Sequence, residues 1–356
     1  MTRTQDMSQE LVDQVHQALD NGTALEIRGG GSKRFYGRPV DAAALDVGSH
    51  VGIVNYEPTE LVLTARAGTP LGEIDRALAA EGQMMPFEPP DYTGSATLGG
   101  AFAAGLSGPR RPWAGSARDL ILGVRLINGQ GAHQRYGGEV MKNVAGYDVS
   151  RVVTGALGTL GVITEVSMKV LPLPEAELTL ELEYDRTAAV LAVENWYRDG
   201  FPVTGSAFHN GCLRVRLAGS ASAVEAASRA IGGTEASGGS DWWRDLNNQK
   251  LEFFTDGDTP LWRIALPPAA TNLDLAGERL FDWNGQLRWL RSSESPSTVR
   301  ERAQALGGHA TLFRGGNPTD DVFHPLAPAV HTLNKRLKQA FDPKGIFNPG
   351  RIYAGI

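Results

Sequence analysis

The chain has 356 residues, of which 42% are hydrophobic and 21% are charged, and its formal net charge is −6. This composition indicates a folded protein of about two domains and excludes a disordered chain. The negative charge, together with the lack of a basic cluster longer than two or three residues, gives no support for a nucleic-acid partner.

The cysteine content and the pattern of apolar residues limit the cellular locations that we expect for this protein. Cys212 is the single cysteine, so an internal disulfide is excluded, and any iron–sulfur cluster must lie on another chain. The N-terminal segment has an amphipathic helical rhythm (Leu11, Val15, Leu19) rather than the apolar core of a signal peptide, and no apolar run reaches the length of a membrane span. We therefore expect a cytoplasmic protein, with membrane association only through partner subunits.

The first predicted elements lead into a glycine-rich loop. A helix that stops near residue 22 and the strand TALEIRG precede residues 29–33, which read GGGSK. Bare backbone after a strand is typical of a phosphate loop, but this loop fails both common templates. The Walker motif needs Lys before Ser or Thr, and the dinucleotide fingerprint needs a glycine where Arg34 stands. The hypothesis that the loop binds a nucleotide within a different fold stays open.

A second and longer glycine-rich stretch follows the strands ALDVG, GIVNYEP and LVLTARAG and a surface helix at residues 71–82. Residues 89–131 combine many glycines and hydroxyls with Arg110, Arg111 and Arg118, and they end in a predicted buried strand at Ile121–Ile127. Bare backbone forms anion-binding concavities, so a phosphate-bearing cofactor is the leading hypothesis. A tight crossing between helix and strand is the alternative.

A third glycine-rich turn precedes the alternating strand VITEVSMKV. Gly155, Gly158 and Gly161 stand at three-residue spacing, which on its own also allows a helix to pack against a sheet. Three such turns in the first half of one chain are far denser than average composition predicts.

The sequence after Pro174 predicts a compact α+β module. Alternating strands (LTLELEY, CLRVRLAG, LWRIALPP, QLRWLRS, HATLFRGG) and three amphipathic helices indicate an antiparallel sheet with helices on one side. Most of its tryptophans are expected in the core, and whether Trp242 and Trp243 form a partner surface stays open. The chain ends in a helix with one apolar face (Val330, Leu333, Leu337, Phe341) and a tail, GIFNPGRIY, expected to pack against a domain.

Five motifs occur in a fixed order: RGGGSK, PPDYTGSATLGG…SGPRR…GSARD, KNVAGYD, GTLGVITEVSMKVLP and FDPKGIFNPGRI. Together they resemble the FAD-binding domain of the p-cresol methylhydroxylase (PCMH)/vanillyl-alcohol oxidase family, and within it the FAD-binding subunits of glycolate dehydrogenase (glycolate oxidase). The resemblance implies an α+β fold with a two-lobed PCMH-type FAD-binding domain at residues 1–174. It also implies a smaller ferredoxin-like α+β cap at residues 175–321 and a C-terminal segment, residues 322–356, that returns to the FAD-binding domain.

The resemblance further implies the positions of the cofactor contacts. The pyrophosphate is expected on residues 29–33 and 94–100, the ribityl chain and flavin along residues 105–116, the adenine at residues 158–163, and Asn348 near the isoalloxazine. Some relatives bind the flavin covalently through a His in the first loop, and this loop has none, so we predict non-covalent FAD. The predicted cofactor-binding set is Arg28, Gly29, Gly30, Gly31, Ser32, Lys33, Gly94, Ser95, Thr97, Leu98, Gly99, Gly100, Gly105, Gly108, Arg111, Gly115, Ser116, Asp119, Gly158, Thr159, Gly161, Val162, Ile163 and Asn348.

The cap departs from the catalytic relatives, which carry a metal site in a His-x-x-Gly-Asp-Gly-Asn stretch. Here His209, His309 and His324 have no ligand spacing, so we predict no metal. A 2-hydroxy acid also needs a cation for its carboxylate, and among the arginines of the cap strands Arg314 is the weak catalytic candidate. A solvated strand face is the favoured reading of each of these arginines.

Three functions follow as hypotheses. The first is an electron-transfer or accessory flavoprotein in a complex that oxidises glycolate to glyoxylate, with a sister FAD subunit that carries the substrate site and an iron–sulfur subunit. The second is a self-sufficient flavin dehydrogenase of a small 2-hydroxy acid. The third is an assembly subunit in which FAD only supports the fold.

Overall fold

The computed structural model describes residues 4–138, 147–255, 257–268, 270–316 and 321–356. Most of the KNVAGYD motif lies outside the described residues. Within the described ranges, none of the helices combines the length and the apolar character needed to cross a bilayer.

The N-terminal region contains two small layers of strands and helices. Its elements are α1 Ser8–Asn21, β1 Leu25–Arg28, β2 Ala43–Asp46, β3 Ile53–Glu57, β4 Val62–Arg66, α2 Leu71–Ala80, β5 Gln83–Met84, α3 Leu98–Ala104, α4 Arg111–Ala114, α5 Ala117–Leu120, β6 Ile121–Ile127, β7 His133–Gly137, α6 Val149–Val153, β8 Val162–Lys169 and β9 Leu171–Pro172. The strands β1 and β2 form a parallel pair, and five others form an antiparallel sheet in the order β3-β4-β8-β6-β7.

The predicted elements of this region form where the periodicity places them. α1 stops at Gly22, which has a φ of 65° and donates its N–H to Ala18, as a glycine C-cap should. The strand β8 alternates in sequence but is buried along both faces, because it is the central strand of its sheet. Its polar residues are paired inside the core, for example Ser167, whose hydroxyl accepts from Thr64 at 2.8 Å.

The C-terminal part of the chain is built on one large antiparallel sheet, which we call the cap sheet. Its strand order is β13-β10-β12-β11-β15-β16-β14-β17. The elements of this part are β10 Ala176–Glu183, α7 Arg186–Arg198, β11 Val203–His209, β12 Cys212–Gly219, α8 Ala221–Ile231, β13 Thr234–Glu235, α9 Gly239–Asn247, α10 Glu252–Thr255, β14 Leu261–Ala265, β15 Glu278–Asp282, β16 Leu287–Arg291, α11 Pro296–Ala305, β17 His309–Arg314 and α12 Pro328–Phe341.

The two faces of the cap sheet are covered differently. The helices α7, α8 and α11 pack on one face, as the sequence predicts. The structure adds α9 and α10 on the opposite face, so the expectation of helices on one side only was incomplete. Trp243 places α9 on this opposite face, because its indole N–H donates to Thr179. The next residue, Leu180, packs with α7 and α8 on the first face, as the alternation of side chains along a strand requires.

The C-terminal tail packs into the core of the N-terminal region, where Ile346 and Phe347 are buried. Lys338 near the end of α12 fastens it, because its ammonium group donates to Thr159, Asp342 and Phe347 at 2.7–2.8 Å. The tail thereby pairs with Leu25 at the start of β1.

Candidate cofactor-binding site

All three glycine-rich turns meet at one cleft. Two adjoining cavities with about 640 and 430 Å³ of empty space lie where β1 ends, α3 begins and the turn before β8 passes. Gly30 lines the first cavity, and Gly99 and Gly158 line the second. Several predicted residues line one or both cavities: Arg28, Gly29, Gly30, Gly31, Ser32, Lys33, Thr97, Gly99, Gly100, Gly158, Gly161, Ile163 and Asn348.

The first loop, residues 29–33, offers unpaired backbone donors. The N–H groups of these residues make no hydrogen bond to any described residue, although the loop borders a cavity. Gly31 has a φ of 73°, and a methyl group at Gly30 would overlap the carbonyl oxygen of Ser95. Successive free N–H groups in such a turn bind an anion, and the missing side chains let it approach the backbone.

Charges around the first loop are not equivalent. Glu26 pairs with both Arg28 and Arg34, so its single carboxylate offsets part of the charge of these two guanidinium groups. Burial alone would raise the pKa of Glu26, but the two arginines outweigh burial and hold that pKa below its usual value. Lys33 makes no ion pair with a described residue, and burial lowers its pKa to about 8 despite the distant carboxylate of Asp91. Lys33 is therefore the cation of this loop that a phosphate group would neutralise.

The second segment, residues 94–100, uses its backbone in another way. The N–H groups of Leu98 and Gly99 donate to the carbonyls of Thr69 and Ala67 at 2.9 and 2.8 Å. The N–H of Gly100 is directed at the side chain of Thr97, which caps α3. At Gly99 the missing side chain permits close packing, since a methyl group there would lie 2.5 Å from the side chain of Ala67. The N–H groups of Gly94, Ser95 and Thr97 make no hydrogen bond to a described residue.

The third turn, residues 155–161, is held against β1 by Asn348. The Asn348 side chain accepts from the N–H of Ile27 at 2.8 Å and donates to the carbonyl of Leu157 at 2.6 Å. Asn348 thus braces two walls of the cleft, and both ends of its amide are used by the protein. The N–H groups of Gly158 and Gly161 make no hydrogen bond to a described residue and border the second cavity.

The other predicted residues lie outside these two cavities, and their roles as cofactor contacts stay predictions. Gly94 and Ser95 form the turn that crosses Gly30, while Leu98 and Val162 are core residues. Ser116 and Asp119 form the capping box of α5 just after Gly115, and Thr159 bonds within its own turn. Gly105 and Gly108 allow close packing against Gly155 and Glu88, and Arg111 lies over the ring of Trp283 at 4.5 Å.

Several cavity residues were missed from the sequence: Glu26, Ile27, Arg34, Val47, Ala67, Ala103, Ala104, Leu157 and Arg351. Ala103 had a readable signal, because it follows Gly99 and Gly100 at helical spacing, but that stretch was interpreted as a loop. Arg351 had no local signal. Its guanidinium donates to the carbonyls of Arg38 and Arg34 and so fixes the far side of the first loop.

The face of the cap sheet that looks toward the N-terminal region is closed by aromatic rings. Phe313 lies 5.0–6.2 Å from the rings of Trp289, Phe35, Tyr36 and Tyr92. We call this cluster the aromatic wall. It is extended by four residues of the cap, Leu261, Leu280, Trp283 and Leu287, and by Ala104 and Leu106 of the N-terminal region. The wall removes apolar surface from water at the contact between the two parts of the chain.

The cap arginines are used mainly as structural donors. Arg288 donates to the carbonyls of Ala270 and Thr271, and Arg291 donates to carbonyls at residues 253–259. Arg314, the weak catalytic candidate, bonds the side chain of Gln249 at 2.8 Å and lies 3.7 Å over Phe35. Arg263 and Arg111 both lie over the ring of Trp283, at 5.1 and 4.5 Å, and neither has an ion pair among the described residues.

The histidines of the cap do not gather into a ligand set. Among the described residues no group of three His, Cys, Asp or Glu side chains could hold a metal ion. His209 pairs with Glu278 at 2.8 Å, and His324 accepts weakly from the N–H of Ala310.

The cleft fits a dinucleotide diphosphate. Free N–H groups, a lysine without an ion pair to a described residue, and glycines that leave the backbone bare all border the two adjoining cavities. Residues 6–137 match the family model described as FAD binding domain. The class of protein is therefore a flavoprotein with a PCMH-type FAD-binding domain, and its cofactor is FAD.

The chain belongs to the family of the glycolate oxidase subunit GlcE. It is 50% identical to that subunit from Escherichia coli (strain K12) over 356 residues, which cover both chains completely. It is also 33% identical to glycolate oxidase subunit GlcD of Bacillus subtilis (strain 168) over 137 residues, 38% of this chain and 29% of that one. A solved structure of alkyldihydroxyacetonephosphate synthase shares the fold, with a TM-score of 0.69, 15% identity, and coverage of 96% of this chain and 74% of that chain.

Proposed function

We propose that this chain is the FAD-binding subunit of a glycolate oxidase complex, in which it receives or relays electrons rather than binding glycolate itself. Its partners are a sister FAD subunit that carries the substrate site and an iron–sulfur subunit. The sister subunit removes two electrons and two protons from glycolate and releases glyoxylate. When bound, FAD supplies a ring that takes up and gives off one or two electrons.

The residues of this chain hold the cofactor without a covalent bond. The N–H groups of residues 29–33 and the Lys33 ammonium hold the diphosphate, while Asn348 and Arg351 keep the loop and the third turn in place. These groups are backbone N–H groups, an amide and two cations, and the first loop has no His to form a flavin linkage.

The choice of an electron-transfer role over a glycolate-binding role rests on the aromatic wall. A 2-hydroxy acid is a small polar anion, and burying its carboxylate against packed rings would cost several kcal/mol without a charged partner. Among the arginines of this face, Arg291 donates to backbone carbonyls, whereas Arg263 and Arg111 lie over the ring of Trp283 without an ion pair to a described residue. The packed rings, rather than a lack of cations, therefore support a role in which glycolate does not bind at the contact between cap and cofactor domain.

Anaerobic addition of glycolate tests the role. The isolated chain, purified with FAD, should keep its oxidised flavin absorbance with excess glycolate, whereas the co-purified complex should bleach completely. Bleaching of the isolated chain at a rate matching turnover would overturn the proposal in favour of a self-sufficient dehydrogenase. A complex in which this chain's flavin stays oxidised while the sister flavin cycles would leave it a structural role only.

A further inference from the structure

The helix α12 is anchored at one end only. Near its C-terminus Lys338 is buried and donates to three oxygens, and Leu337 and Phe341 pack on the core of the N-terminal region. The other half of the helix makes no such contacts with the described residues. Val330 is 44% exposed and Leu333 is 64% exposed, although both lie on the same stripe as Leu337.

The exposed half also differs in charge from the rest of the chain. The sequence of α12 contains no Asp or Glu; the exposed Arg336 flanks the apolar pair, and the exposed Lys335 lies farther around the helix. The whole chain has a net charge of −6, so a purely cationic helix is unusual for this surface. Exposed apolar side chains edged by charges of one sign mark a contact surface for a complementary partner.

We propose that the N-terminal half of α12 docks into another subunit of the oxidase, through an apolar groove edged by carboxylates. This inference rests on the proposed function, because the complex supplies the partner. A protein groove suits the helix better than a lipid surface does. The exposed half carries two apolar side chains and no Trp or Phe, too little apolar area for stable insertion into a bilayer interface.

The test is co-purification of the complex through a tag on this chain, with the glycolate oxidase subunits co-expressed. The double variant Val330→Glu, Leu333→Glu should lower recovery of the other subunits at least about tenfold, as charge insertion at the centre of an interface does. The variant Lys335→Glu, Arg336→Glu should lower recovery as well, and the wild-type contact should weaken as salt is raised.

A matched control is available on the outer face of the cap. Leu191 of α7 is 54% exposed, and Leu191→Glu should leave recovery unchanged. All variants should keep the FAD content and melting temperature of the wild type, which separates lost docking from lost folding. The Lys335→Glu, Arg336→Glu variant changes only exposed residues, so it tests the surface even if the Val330→Glu, Leu333→Glu variant is unstable.

Three results would overturn the inference. Recovery unaffected by both double variants would show that α12 is not the contact. A wild-type chain that dimerises alone, with the dimer lost in the Val330→Glu, Leu333→Glu variant, would make the partner a second copy. Binding of the isolated chain to anionic phosphatidylserine vesicles, lost in the same variant, would make it a membrane surface. If the wild-type chain recovers no other subunit at all, the result would instead contradict the proposed function.

Discussion

Residues 29–33 and residues 94–100 have nearly the same composition of Gly, Ser and Thr, but their backbone N–H groups meet different partners. In the first loop these groups make no hydrogen bond to a described residue, they border the cleft, and Lys33 adds a cation without an ion pair to a described residue. In the second segment Leu98 and Gly99 donate to carbonyls of residues 67–69, which ties α3 to the end of β4. We therefore expect the bare backbone of the first loop to bind the ligand, whereas at Leu98 and Gly99 the backbone serves close packing.

The largest effect should come from Gly30→Ala. The added methyl group would overlap the carbonyl oxygen of Ser95, so the loop must move and its donors must turn from the cleft. We expect FAD affinity to fall by at least about 100-fold, measured by fluorescence titration of the cofactor-free protein. Far-ultraviolet circular dichroism should stay that of the wild type. Unchanged FAD affinity would show that this loop does not hold the cofactor.

The next effect separates two neighbouring cations. Lys33→Met should weaken FAD binding by about 10- to 100-fold, because a charged hydrogen bond to phosphate is lost. Arg34→Met should change it less than about threefold, because the Arg34 guanidinium pairs with Glu26 and its side chain is 60% exposed. The same titration with ADP should give the same ratio, since the diphosphate is the shared group. Equal losses in the two variants would contradict the assignment of Lys33.

The pH dependence follows from the same lysine. Burial lowers the pKa of Lys33 to about 8, so in the cofactor-free protein it loses its proton as the pH rises through that value. Neutral lysine attracts phosphate less, and FAD affinity should therefore fall about tenfold between pH 7 and pH 9. In Lys33→Met the same pH series should be flat. A slope that persists in this variant would assign the titration to another group.

Gly94→Ala should affect the fold but not the cleft. Gly94 has a φ of 77° and open space where a methyl group would lie, so the substitution strains the backbone without a clash. We expect a loss of about 1–2 kcal/mol in the free energy of unfolding, from urea titration, with FAD affinity unchanged. A large loss of FAD affinity would mean that the second segment also donates to the cofactor.

The smallest effect should come from Thr97→Val. The Thr97 hydroxyl caps α3, and its removal should cost about 1 kcal/mol of folding stability. The matched variant Thr97→Ser keeps the hydroxyl and should recover most of that loss. Both variants should bind FAD within about threefold of the wild type. A greater loss of affinity in Thr97→Val alone would assign the hydroxyl to the cofactor rather than to the helix.

Local patterning predicted most elements of the fold. The strand at Ile121–Ile127 forms with the predicted bounds, and the glycine stop of α1 lies at the predicted residue. The strands β11 and β15 and the short helix α3 were missed, because their sequences lack clear alternation or hide among glycines. For the site, the sequence located the three turns that meet at the cleft, but it did not separate Lys33 from Arg28.

By itself the sequence determined the elements and the three bare turns, because periodicity, capping residues and glycine act over a few neighbouring residues. Only the tertiary structure decided what those turns do. The carbonyls of Thr69 and Ala67 accept from Leu98 and Gly99 of the second segment, and Asn348 joins Leu157 to Ile27 of β1, which lies 321 residues before Asn348 in the chain. These partners are distant in sequence, so the free or paired state of such a donor is a property of the assembled fold.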